Sequence, residues 1–123
     1  MADLYVLDEN GEPRREPDVR AWAGWFANAR PERQVAETML FDDEVRVSTV
    51  FMGMDLGFGE TAPVLWQTMI DCGPVDGRVW RYTSRADAVS GHQFAVLRAI
   101  VAQGCVMHAI DQVIEDSLPG ASP

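Results

Sequence analysis

Apolar and polar positions change their period several times along the chain, and each change marks an element. Val45, Val47, Thr49 and Phe51 alternate with Arg46, Ser48, Val50 and Met52. Period two with β-branched enrichment predicts a strand over 44–52. Residues 53–63 carry Gly53, Gly57 and Gly59 and close on Pro63, which predicts a long hairpin loop. Residues 64–70, with Trp66, read as the returning strand. Asp76-Gly77 is a hairpin dipeptide, so 78–83 (Arg-Val-Trp-Arg-Tyr-Thr) forms the next strand. On the N-terminal side, 33–41 has strand character, with Val35, Met39 and Phe41 sharing a face and Asp42-Asp43 as the turn. Connections this short make the strands an antiparallel meander.

Other periods flank it. Residues 3–7 read as a strand stopped by the Asn10-Gly11 turn, and Arg14 and Arg15 then belong to a solvated connection. Pro17 suits a first helical position and Asp18 favours a helix N-terminus. Val19, Trp22, Trp25, Phe26 and Ala29 recur at three and four, predicting a helix over 18–29 that Pro31 stops. Its tryptophan stripe suits core packing, with a ligand-stacking wall as the alternative. After the sheet, Ser84 and Asp87 form an acidic capping box. The helix they open shows Val89, Gln93, Val96, Leu97 and Ile100 on one face. Gly91 inside it costs about 1 kcal/mol relative to alanine, which close contact with the sheet would justify. Gly104 ends or hinges this helix, and Val106, Ile110, Val113 and Ile114 carry a last helical stretch to about 116. The expectation is one α+β domain over 1–123: an antiparallel sheet of about four to five strands, helices packed on one face, and a loose tail over 117–123.

Composition narrows the function classes. No apolar run approaches the ~20 residues of a membrane span and the start is unlike a signal peptide, so the chain reads as cytoplasmic. Ten basic residues, all arginine, stand against 19 acids, a net charge of −9. Such a balance excludes nonspecific nucleic-acid binding, which needs a basic footprint. It allows an electronegative face that meets a basic partner. Cys72 and Cys105 read as reduced thiols.

Candidate chemistry is sparse. His92 and His108 belong to no metal-ligand pattern, and no nucleophile elbow accompanies Ser48, Thr49 or Cys72. Residues 53–60 mimic a phosphate loop but lack its lysine, precede a strand and place two acids where a phosphate would sit. No catalytic residue, metal or cofactor is therefore assigned. What remains is the loop itself, with Asp55 and Glu60 rimming the apolar Leu56 and Phe58, the composition of a binding patch. Trp66, Tyr82 and His92 complete the candidate binding set. The bland alternative has Phe58 in the core, Asp55 capping its own turn and His92 satisfied beside the sheet, against Tyr82 or Asp55.

Val47, Ser48, Thr49, Val50, Phe51, Gly53, Asp55, Phe58, Gly59, Pro63, Leu65, Thr68, Met69, Arg81, Tyr82, Ala88, Gly91 and His92 form a spaced pattern. By it the chain resembles a group of short uncharacterised bacteriophage and prophage proteins, over most of residues 4–92. Leu56 stands where that group usually has histidine, and Gln67 where it usually has glutamate. The resemblance implies a phage or prophage setting in a bacterial host.

The expected function is non-enzymatic: an accessory or counter-defence protein that binds a host or phage macromolecule, its acids competing for a basic, nucleic-acid-binding surface. A small-ligand or hydrolytic site around Asp55, Glu60 and His92 is the alternative. A virion or assembly component, which would form a homo-oligomer, is the third.

Overall fold

A computed structural model describes residues 2–57, 62–72 and 76–117, the stretch 104–117 as backbone only. Its fold is α+β. Four antiparallel strands form the main sheet in the order β3 (Gln34–Leu40), β4 (Val45–Phe51), β5 (Trp66–Asp71) and β6 (Val79–Tyr82). This is the meander that the alternating pattern predicts. A smaller sheet pairs β1 (Tyr5–Leu7) with β2 (Pro13–Arg15). Arg14 and Arg15 thus belong to a strand and not to a connection: pairing with β1 supplies the hydrogen bonds that their polar side chains do not advertise.

Alternation along β4 sends Val45, Val47, Thr49 and Phe51 to one face, all of them buried. The long helix α3 (Arg85–Ser117) and the shorter α1 (Val19–Asn28) cover that face. Val45, Val47 and Ile70 meet Ala95 and Ala99 of α3, while Phe51, Leu65 and Trp66 meet Ala88 and the flank of Trp25. The opposite face carries Met39, Met69 and Val79, each about two-fifths exposed.

Asp18 is the N-cap of α1, accepting from the N–H groups of Arg20 and Ala21, so Pro17 lies just outside the helix. Beyond Ala29 the chain adds one more turn, α2 (Arg30–Arg33), with Pro31 in its first turn, where a missing N–H costs nothing. Trp22 ties α1 down: its Nε1–H is shared between the carbonyls of Gly53 (2.9 Å) and Tyr5 (3.1 Å). Gly53 has φ +73°, and a Cβ there would press on the Trp22 ring, so glycine is required on both counts.

One expectation for the last helix fails, and its apolar stripe lies mostly outside, with Val96 half-buried against the core. Gly104 neither ends nor hinges it, since α3 runs unbroken for 33 residues. Its inward face is Ala88, His92, Ala95 and Ala99, while Val89, Leu97 and Ile100 are exposed. Small residues win that face because the helix lies close to the sheet. Gly91 shows how close: a Cβ there would fall 2.2 Å from the Cε1, Cζ and hydroxyl of Tyr82. The predicted tail, 118–123, lies outside the described residues.

Gly91→Ala gains about 1 kcal/mol of helix propensity, yet overpacking against Tyr82 costs about 1–3 kcal/mol. Urea denaturation should find the variant less stable than the parent. In a Tyr82→Ala background the same substitution should become neutral or stabilising; a loss that persists there would rule out the ring as the cause.

Candidate functional site

His92 sits under α3 at 6% exposure, with a threonine hydroxyl on each ring nitrogen. Nδ1 is 2.8 Å from Thr49 Oγ1 and Nε2 is 2.8 Å from Thr38 Oγ1. Thr49 Oγ1 is in turn 2.5 Å from Thr68 Oγ1, to which the Tyr82 hydroxyl donates at 3.0 Å. Register places Thr49 directly opposite Thr68, so both hydroxyls project from the covered face side by side. One assignment gives each of the four bonds its donor: Tyr82 donates to Thr68, Thr68 to Thr49, Thr49 to Nδ1, and Nε2–H to Thr38. That makes His92 neutral. Burial also pulls its pKa below the ordinary 6.5. A base whose two nitrogens are both engaged under a helix holds the fold together; it is not poised to take a substrate's proton.

Asp55 does different work. Its carboxylate accepts from Val64 N (3.0 Å) and Gly57 N (2.9 Å), closing its own loop. Those two backbone donors, Val64 first, hold the carboxyl below its usual range. The loop is further held by Asp55 N donating to the Asp3 carbonyl and Leu56 N to that of Val64. Among the described residues Asp55 shares no hydrogen bond with Tyr82 or His92. Phe58 and Glu60 lie outside the described residues. Trp66 is 3% exposed and packs edge-on against Phe51 at 5.3 Å. Of the expected binding set, the structure thus joins Tyr82 and His92 through the threonines, leaves Asp55 and Leu56 in the loop, and places Trp66 in the core. Gln67 accepts from the Arg81 guanidinium across β5 and β6. At the exposed turn after β5, ligand atoms of Asp71, Cys72 and Asp76 lie within 4.8 Å of one another. The Asp76 carboxylate there already accepts from the Cys72 N–H.

A concave feature among the described residues lies elsewhere. A cleft of about 1300 Å³ opens between the β1–β2 turn, the side of α1 that carries Gly24, Trp25 and Asn28, Glu32 of α2 and residues 83–86 at the head of α3. Trp25 and Trp66 both line it. Four acids, Asp8, Glu9, Glu12 and Glu32, face one cation, Arg85. Asp8 is committed to the turn, accepting from Asn10 N at 2.8 Å and Glu12 N at 2.9 Å. Glu9, Glu12 and Glu32 are in no ion pair among the described residues. Sequence reasoning took 8–12 as a turn alone. The available signal was three acids inside one five-residue turn beside a tryptophan helix; what it lacked was the pairing of β2, which folds that turn toward α1.

Comparison with known protein families, curated proteins and solved structures finds no match to the chain.

Because the folded pKa of His92 is depressed, the unfolded chain takes up its proton first as pH falls. Stability is therefore held above about pH 6.5 and declines from there down toward the lower folded value. Thermal unfolding between pH 8 and pH 5 should show that decline in the parent, and His92→Gln, though less stable throughout, should lack it. Parallel profiles for the two proteins would refute the assignment.

Proposed function

We propose that this is a non-enzymatic binding protein that captures a cationic segment of a protein partner in the acid-rimmed cleft. The cleft itself carries the reading: Glu9, Glu12 and Glu32, in no ion pair among the described residues, stand around a cavity with the half-buried Trp25 in its wall. Guanidinium and ammonium groups suit that lining, through charge-assisted hydrogen bonds to carboxylates and stacking on indole. A net charge of −9 adds long-range attraction for a basic surface. Proteins that bind nucleic acid present such surfaces, and an acidic protein bound there displaces nucleic acid by occupying its site. The resemblance to phage and prophage proteins supports placing that action in a bacterial cytoplasm, as an accessory or counter-defence factor.

Titration with hexa-arginine, followed by calorimetry, tests the cleft directly. Exposed ion pairs contribute about 0.2–1 kcal/mol each, so Glu9→Gln, Glu12→Gln and Glu32→Gln combined should weaken binding roughly tenfold, and added salt should weaken the parent. A steric control uses Gly24, which lines the cleft and has nothing within 4 Å of its Cβ position. Gly24→Leu should project into the cleft beside Trp25 and weaken binding while leaving the fold intact. Equal affinity in all three proteins would dismiss the cleft as the site.

A further inference from the structure

The hydrogen-bonded line through His92 ends on both edge strands of the main sheet, at Thr38 of β3 and Tyr82 of β6, each half-buried. Between these ends Thr49 and Thr68 are 0% exposed and His92 is 6% exposed. With Nε2–H donating to Thr38, the basic lone pair of the imidazole is on Nδ1. That nitrogen faces the buried Thr49 hydroxyl at 2.8 Å. A proton from water therefore reaches it through the hydroxyls, or else only after α3 lifts from the sheet. No carboxylate draws the proton in. Glu37, Arg46 and Asp71 pair with one another on the far face of the sheet, where Arg81 binds Gln67. Among the described side chains of α3, Arg85, Asp87 and Arg98 are exposed. Tyr82 is the one other titratable group in the line.

We propose that this line is a proton relay whose direction reverses when His92 becomes charged. One proton passes from hydronium to the Tyr82 oxygen. The proton of Tyr82 crosses to Thr68, that of Thr68 to Thr49, and that of Thr49 to Nδ1. Each hydroxyl oxygen loses one proton and gains one, so the net change is one proton moved from hydronium to the imidazole. Afterwards Nδ1–H donates to Thr49, Thr49 to Thr68 and Thr68 to Tyr82, while Nε2–H keeps Thr38. All four bonds persist, three of them with donor and acceptor exchanged. A hydroxyl gives and accepts through the same oxygen, so threonine serves at 49 and 68 where the isosteric valine would break the line. Register brings the two together, Thr49 lying directly opposite Thr68. The relay provides a folded form with His92 charged, and the buried base titrates with α3 in place. It is independent of what the cleft binds, since none of its five residues lines the cleft.

Nuclear magnetic resonance of the ring nitrogens, on the full chain from about pH 8 to about pH 4, tests the relay. His92→Gln identifies the signals, the other histidine being His108. At the alkaline end the ring should be protonated at Nε2 alone. At the acid end both nitrogens should carry protons while the dispersed spectrum of the folded chain persists. Tyr82→Phe keeps the aromatic ring beneath Gly91 but leaves the Thr68 hydroxyl without its acceptor in the reversed line. A buried donor left unpaired penalises only the charged form, so His92 should bind its proton about tenfold more weakly. Thr68→Val should weaken it likewise by stranding Thr49, and Thr68→Ser, which restores a hydroxyl, should return the parental midpoint. Three results would each overturn the proposal: a neutral ring protonated at Nδ1, a parent that unfolds as His92 gains its proton, or a midpoint that Tyr82→Phe and Thr68→Val leave unmoved.

Discussion

A line of hydroxyls and one imidazole, Tyr82 to Thr68 to Thr49 to His92 to Thr38, crosses β6, β5, β4, α3 and β3 in turn. Every strand of the main sheet contributes one member, and the helix supplies the fourth link. Each such bond adds only about 1 kcal/mol net, but an unpaired buried polar group costs about 1–3 kcal/mol. The asymmetry makes the line a specification of register. A strand displaced by one residue turns its hydroxyl to the far face and strands its neighbours, so the arrangement of four strands and a helix is accepted or lost as a unit.

That line dictates the composition of α3. For His92 to reach Thr49 and Thr38 at 2.8 Å, and for Tyr82 to slip beneath Gly91, the backbone must lie close to the sheet. Small side chains at 88, 91, 95 and 99 allow this, and larger ones there would lift the helix off its polar partners. The bulky apolar residues are displaced to the other side as a result. The exposed apolar side of α3 is thus the complement of the close approach, and both descend from one geometric demand.

The same demand explains where sequence patterns spoke clearly. Alternation in β4 is strict because one face is sealed, and both its extent and its inward face were legible from Val45, Val47, Thr49 and Phe51. Gly91 was legible as a close contact, though not its partner. Periodicity in α3 grouped the large apolar residues on one side without saying which side the sheet covers: Val89, Leu97 and Ile100 lie outside, Val96 reaches the core, and alanines line the inside. The pair Thr49 and Thr68 looked like ordinary strand residues, and no local rule marks two hydroxyls 19 positions apart as one buried bond. Asp55 and Gly57 matched a self-capped turn at short range, which is why the loop's closure was foreseeable and the cleft, assembled from four separate segments, was not.

Charge and hydrophobicity are segregated along the chain, and the fold keeps them apart. Six acids, Asp3, Asp8, Glu9, Glu12, Glu16 and Asp18, fall before α1, while residues 88–103 hold none. The N-terminal hairpin that carries most of them joins the sheet through few polar contacts: Tyr5 N to the Gly53 carbonyl, Asp55 N to that of Asp3, and the shared Trp22 N–H. Apolar packing adds to these, since Val6 is buried and Tyr5 and Leu7 pack against the Phe51 cluster, so the exposed turn at 9–12 is the less constrained part of this wall of the cleft. Local opening follows local contact density. If the cleft takes a bulky cationic segment as proposed, adjustment to it falls to this exposed turn and not to the packed strands behind it.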